Sequence, residues 1–234
     1  KLLIFSLNVR GIRDDKKRHE LFRWLKRYYK ADHAFVLLQE THSIEKDESR
    51  WMKEWGAEII FSHGSSNSKG VAILFPHNNI KANTLQQHGD TEGRLCSIKI
   101  KIEDDILNII NVYSPTKNKQ KEQIDFLNGL KRLINKDEQY PTICAGDFNT
   151  YLDPTLDKDG GNLEETSHYS SQLQLMLENY NLCDIWRTNN PFTRRYTWRQ
   201  SKPLVQSRLD YFFISQSLLQ FVNTCEIKPS IKTD

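Results

Sequence analysis

Seven oxygen-bearing side chains stand at or near the ends of β-like runs in this 234-residue chain: Asn8, Glu40, Tyr113, Asp147, Asn149, Asp210 and Asp234. If those ends meet at one edge of packed sheets, the carboxylates among them repel one another unless a cation sits in their midst. An oxygen-rich set with few His and no Cys suits Mg²⁺, with Mn²⁺ as a substitute, better than zinc. The chemistry that calls for such a set is hydrolysis of a phosphate ester. There a metal neutralises developing charge, an acid activates water, and amide or phenol donors hold the phosphate oxygens. Taken singly, each residue has a plainer explanation: Asn8 and Asn149 as turn formers, Glu40 as a surface acid, Asp147 as a turn residue, Tyr113 as core, Asp210 as the partner of Arg208. The constellation is harder to dismiss than its members.

An α/β pattern that recurs in both halves of the chain must position these residues. Strands are expected over 1–9, 34–38, 57–61, 71–75, 98–102, 106–112, 142–145, 196–199, 208–214 and 224–231, with a turn at Asp104-Asp105. Helices are expected from an Asp14 cap to about residue 30, over 119–134 and over 168–180. Strand runs with intervening helices imply two sheets, each covered on its outer face by helices. Residues 196–199 and the strand entering Arg208-Leu209-Asp210 read as two arms of a hairpin beside Asp210, with a loop of Gln200 to Gln206 centred on Lys202-Pro203 between them. Its tip offers Lys202 for phosphate, Gln200 and Gln206 for base edges, and Leu204 or Val205 as an apolar wedge.

Composition sets the outer bounds. With 38% hydrophobic and 27% charged residues, the chain is no disordered tail, and no apolar run approaches the roughly 18 residues of a membrane span. No linker-like stretch divides it, so residues 1–234 read as a single domain. The four cysteines, Cys96, Cys144, Cys183 and Cys225, show no metal-ligand spacing and read as reduced core thiols of an intracellular protein. The first residue is Lys1 rather than Met, which suggests a piece of something longer. A net charge of +3 proves no partner, yet residues 186–209 hold Arg187, Arg194, Arg195, Arg199, Lys202 and Arg208 without one acid. Interleaved with Phe192, Tyr196 and Trp198, that stretch reads either as a phosphate-contacting surface or as a solvated loop with packed aromatics.

Five ordered motifs span the chain: Ser6-Leu7-Asn8, Leu38-Gln39-Glu40-Thr41, Asn111-Val112-Tyr113-Ser114-Pro115, Gly146-Asp147-Phe148-Asn149 and Arg208-Leu209-Asp210-Tyr211. They resemble the exonuclease III and apurinic-endonuclease branch of the endonuclease/exonuclease/phosphatase superfamily. Within that branch the chain is most similar to the endonuclease domain of the ORF2 protein of LINE-type (LINE-one clade) non-LTR retrotransposons. That likeness rests on Gly146-Asp147-Phe148-Asn149-Thr150 leading into Leu152-Asp153-Pro154 and Leu156-Asp157, and on Leu182-Cys183-Asp184-Ile185-Trp186-Arg187 before Tyr196-Thr197-Trp198. The implied fold is a DNase I-like four-layer α/β sandwich of two mainly antiparallel sheets flanked by helices. The implied activity is Mg²⁺-dependent nicking of double-stranded DNA, leaving a 3′-hydroxyl that primes reverse transcription. Implied partners are the reverse transcriptase domain of the same polyprotein and the element RNA, with no membrane. Translation would be cytoplasmic and action nuclear.

The resemblance also assigns roles. Glu40 becomes the main metal ligand, with Asn8 near metal and phosphate and Asp234 as a further acid at the metal. Asp147 orients or deprotonates the attacking water, Asn149 and Tyr113 contact the phosphate or transition state, and Asp210 pairs with a histidine. Arg10, Thr197, Arg199, Gln200, Lys202 and Gln206 are the expected DNA contacts. Two departures stand out: Arg10 replaces the acid that repair enzymes carry, and the sequence stops at Asp234, one residue before the histidine that the family pattern places next. The expected molecule is thus an N-terminal ORF2 domain cut just before that histidine. The alternatives are an apurinic repair enzyme, disfavoured by Ser207 where repair enzymes place Trp, a phosphatase or lipid phosphodiesterase, and a DNA-binding fragment with impaired catalysis.

Overall fold

Apolar runs at the start of the chain form two strands, β1 (Leu2–Asn8) and β2 (His33–Gln39), paired in parallel with Asn8 opposite Gln39. Parallel neighbours need a crossover, here helix α1 (Asp15–Tyr28), which buries Leu21, Phe22 and Leu25. Asp14 starts the helix as expected, its Oδ1 accepting the Lys17 backbone N–H at 2.8 Å. The computed structural model describes residues 2–28, 33–77, 82–117, 119–134, 140–161 and 167–228. Two compact units divide the chain between Tyr113 and Ser114.

In the first unit, helix α2 (Glu48–Trp55) and strands β3 (Ile59–Ser62) and β4 (Val71–Leu74) follow, and the strand order is β1-β2-β4-β3. Helix α2 was not expected. Its signal is Trp51 and Trp55 at a spacing of four, both buried. Strands β5 (Ala82–Gly89), β6 (Leu95–Ile102) and β7 (Asp105–Tyr113) form an antiparallel meander. The turn between the last two is Glu103-Asp104, one residue earlier than expected, with Glu103 at φ 55°. A buried amide network joins the two sheets of this unit. Gln39 Nε2 donates to Asn111 Oδ1 at 2.7 Å, and Asn111 Nδ2 donates to the carbonyls of Leu38 and Ala72.

The second unit carries helix α3 (Gln120–Ile134), strand β8 (Thr142–Asp147), the short β9 (Lys158–Asp159), helix α4 (His168–Asn179), strand β10 (Leu182–Asp184) and helix α5 (Ile185–Asn189). Strands β11 (Trp198–Ser201), β12 (Leu204–Ser207) and β13 (Asp210–Ser215) complete it. Strand β13 pairs antiparallel with both β8 and β10. A hairpin does turn at Lys202-Pro203, but its arms are β11 and β12, so Gln200 and Gln206 lie in paired strands rather than in a loop of residues 200–206, and β12 also pairs with β9. Gly160 makes that last contact possible: at φ +76° it lies so close that a Cβ would sit 2.3 Å from the Leu204 carbonyl oxygen.

Two expectations need correction. No strand forms over 222–228, and residues 229–231 of the expected strand lie outside the described residues. Cys96 and Cys144 are buried free thiols, but Cys183 and Cys225 are only half-buried, so two of the four are not core. Among the described residues no helix is long and apolar enough to cross a membrane.

Candidate active site

The first unit builds its share around Glu40, the residue after β2. Val9 N–H donates to the Gln39 carbonyl and Gly11 N–H to the Glu40 carbonyl, so the β1 and β2 ends run out together. Asn8 Nδ2 donates to Glu40 Oε1 at 2.7 Å, while Asn8 Oδ1 accepts the Arg10 N–H at 3.1 Å. Arg10, Glu40 and His42 adopt φ of 48°, 52° and 57°. Left-handed conformations in three non-glycine residues at one place mark a backbone held against its preference, as functional sites often are. The 64–70 loop supports the turn: the Gly70 and Lys69 carbonyls accept the N–H groups of Thr41 and His42. Burial, assisted by Lys17, holds the His42 imidazole below its usual range despite the Glu40 carboxylate 3.9 Å away. A neutral His42 leaves the charge of Glu40 available. Tyr113, at the end of β7, lies under the guanidinium of buried Arg94 at 5.1 Å, and Tyr113 N–H donates to the Arg94 carbonyl. Arg94 has no motif around it, and the sequence reading missed it.

In the second unit, Asp147 ends β8 and Asp210 begins β13, directly opposite one another in the ladder. Two acids so placed repel, and the surrounding donors offset part of that cost. Asn149 N–H donates to Asp147 Oδ1 at 2.8 Å, and Asn149 Nδ2 donates to the Ser114 carbonyl at 2.8 Å. Asn149 takes φ 48°, a conformation Asn tolerates better than most residues. Asp210 is fixed through its backbone: Thr197 Oγ1 accepts both the Leu209 and Asp210 N–H groups, at 3.0 and 3.2 Å. Thr197, expected as a DNA contact, is thus a support of the Asp210 strand. A recess of about 680 Å³ opens beside Asn149, lined among others by Tyr151, His168, Trp198 and Leu209.

The basic stretch divides into two classes. Arg208 is almost fully buried and spends its guanidinium on Asp157, by two bonds of 2.8 and 3.0 Å, and on Asp184 at 2.6 Å. Although burial opposes the charge, these carboxylates carry its pKa above the ordinary arginine value. Arg187 also bonds Asp157. Both guanidiniums are engaged by carboxylates, and Arg208 pairs with Asp157 and Asp184 rather than with Asp210 as the plainer reading of Asp210 had it. The pattern was not readable because those acids lie 51 and 24 residues away. Arg194, Arg195, Arg199 and Lys202 are exposed. Arg10 is exposed too, with its carbonyl bonded by Lys17. Gln200 Nε2 donates to the Lys202 carbonyl, and Gln206 Nε2 to Asp159 Oδ2 at 3.4 Å. Asp234 lies outside the described residues.

Each unit by itself carries donors of the kind a hard divalent cation takes: in the first, Glu40 has a part-exposed carboxylate steadied by Asn8, and in the second, Asp147 and Asp210 bring two carboxylates opposite one another. Among the described residues no three His, Cys, Asp or Glu side chains form a cage. Mg²⁺ needs none, because it keeps several waters and is often held by one or two carboxylates plus substrate phosphate.

Comparison with known proteins agrees with this reading of the fold. The chain is 27% identical over 230 residues to the transposon TX1 uncharacterized 149 kDa protein of Xenopus laevis, covering 97% of this chain and 17% of that protein. The AP endonuclease LMAP from Leishmania major superposes with a TM-score of 0.71 at 18% identity, over 93% of this chain and 80% of its own. The endonuclease domain of TRAS1, a telomere-specific non-LTR retrotransposon, superposes with a TM-score of 0.61 at 13% identity, over 94% and 88% of the two chains. Residues 5–230 match the endonuclease/exonuclease/phosphatase family from strand β1 to beyond β13, and the chain belongs to that family.

Proposed function

We propose that the chain is a divalent-metal-dependent endonuclease that nicks duplex DNA and leaves a 3′-hydroxyl, as the endonuclease domain of a retrotransposon polyprotein. The observation that carries the reading is the fixed Asp147, Asn149 and Asp210 group in a chain of this family. Likeness to the transposon TX1 protein supports retrotransposition over repair; a reverse transcriptase domain and element RNA as partners, and action in the nucleus, belong to the same proposal. Asp147 would take a proton from water, a role supported by the Asn149 N–H bond to Oδ1, which orients the carboxylate. Asn149 and Tyr113 would hold phosphate oxygens, the amide and the phenol acting as hydrogen-bond donors. Glu40, with Asn8 beside it and Asp234 as a further acid, would hold Mg²⁺ or Mn²⁺, which when bound neutralises charge building on the phosphate. Exposed Arg10, Arg199 and Lys202 would grip the DNA backbone, and Gln200 and Gln206 on the hairpin would face base edges.

The test is a pair of variants on supercoiled plasmid. Glu40→Ala should abolish metal-dependent nicking. Asp147→Asn should keep DNA binding while turnover falls by at least about a hundredfold. Normal nicking by Glu40→Ala, or parallel loss of binding and turnover in Asp147→Asn, would overturn the assignment.

A further inference from the structure

The segment 190–193 is a closed β-turn that displays an aromatic ring to solvent. Thr193 N–H donates to the Asn190 carbonyl at 3.3 Å, placing Pro191 second and Phe192 third in the turn. Phe192 is 86% exposed, the most exposed large hydrophobic side chain among the described residues. The turn is not slack. Arg187 Nη1 donates to the carbonyls of Asn190 and Thr193 at 3.0 and 2.8 Å, and Asn190 Nδ2 donates back to the Trp186 carbonyl at 2.9 Å. Arg187 is itself anchored by Asp157 and lies over the Trp186 ring at 5.1 Å. A phenyl ring on a braced turn is presented with little ordering left to lose on contact.

Charge identifies what the ring would meet. Arg194 and Arg195 follow directly and are exposed, as are Arg199 and Lys202, and no acid occurs from Trp186 to Leu209. One sign of charge with one exposed aromatic is the chemistry of a polyanion that carries flat bases.

We propose that Phe192 stacks on or wedges against a base step of duplex DNA while Arg194 and Arg195 hold the adjoining phosphates. This rests on the nuclease reading above and adds a specificity contact to it. The chain limits where the contact falls. Phe192 is five residues from Thr197, whose hydroxyl bonds the Asp210 N–H. Five residues span at most about 18 Å, or about five base pairs of duplex. Phe192 therefore reads DNA close to the nick, and a wedge there is cheapest at a flexible pyrimidine-purine step.

The experiment uses duplexes with 2-aminopurine at successive positions on both sides of a mapped nick site, some within six base pairs of it and some beyond. The whole chain is compared with Phe192→Ala, Phe192→Trp and the double variant Arg194→Ala/Arg195→Ala, with folding checked by circular dichroism. Wild type should change the fluorescence at one or two positions. Phe192→Ala should lose that signal and bind about 5- to 100-fold more weakly, and Phe192→Trp should restore both. The double-arginine variant should lower the slope of log affinity against log salt by about two. Unchanged signal and affinity in Phe192→Ala, or a signal only beyond six base pairs, would overturn the inference while leaving nicking by the wild type intact. Failure of the wild type to bind duplex at all would remove the nuclease reading along with it.

Discussion

Replacing Arg208 by Met keeps most of its length and removes its charge, and the structure fixes what is then lost. Asp157 is fully buried and Asp184 nearly so; the first keeps Arg187 and the Asp153 N–H, and the second loses a 2.6 Å bond. The guanidinium also lies 4.4 Å from the Tyr211 ring centroid and 5.0 Å from that of Trp186, contacts a thioether only partly replaces. Removing one partner of a buried ion pair costs about 3–5 kcal/mol, because the remaining charge stays in a medium that solvates it poorly. For a chain of this size each kcal/mol lowers the melting temperature by about 2–4 °C, so a drop of about 6–20 °C is expected. Thermal and urea unfolding, followed by circular dichroism, measure it. The double variant Arg208→Met/Asp157→Asn should lose less than the sum of its parts, since the fully buried carboxylate that Arg208→Met strands is then no longer charged. Stability within about 1 kcal/mol of wild type for Arg208→Met alone would refute the reasoning, since surface substitutions do no more than that.

Thr197→Val removes the acceptor of two N–H groups beside Asp210; turnover should fall more than DNA affinity, and Thr197→Ser should restore it in steady-state nicking assays. Gly160→Ala should lower the melting temperature and disturb the hairpin, since the new Cβ meets the Leu204 oxygen at 2.3 Å and φ is +76°. The Arg18 guanidinium, bonded at 2.6 and 2.8 Å, holds the Glu54 carboxyl below its ordinary 4.5 against burial. A folded pKa below the unfolded one contributes stability that is present above pH 4.5 and lost as pH falls through the lower folded value. Wild type should therefore be the more stable at neutral pH, and its advantage over Glu54→Gln should shrink through that window in melting curves.

Where local pattern and final structure agree, one physical cause governs both. Alternation at Ile98 and Ile100 became a strand because the inward face is fully buried, and Asp14 started α1 because its carboxylate caps Lys17. Motif residues at strand ends were legible for the same reason, since a strand that ends fixes where its last side chain stands. Strand β5 was not legible: its residues 83–89 are exposed and mostly polar, so no apolar period marks them, and its pairing shifts between Thr84 and Gln86. Roles set by distant partners were equally hidden. Arg187 and Arg208 stood in a stretch that read either as a phosphate surface or as a solvated loop, and their pairing with Asp157 and Asp184 leaves no local pattern; nor does the support that Thr197 gives to the Leu209 and Asp210 N–H groups.

The central claim is that these residues cut one strand of DNA and leave an end that a polymerase can use. Supercoiled plasmid incubated with Mg²⁺ or Mn²⁺, then with a DNA polymerase and labelled nucleotides, measures it directly, using both the 234-residue chain and one continued by a histidine after Asp234. Metal-dependent open circles are expected, their nicks incorporating label without prior phosphatase treatment. Intact plasmid from both proteins with either metal, or nicks that take up label only after a 3′-phosphate is removed, would contradict it.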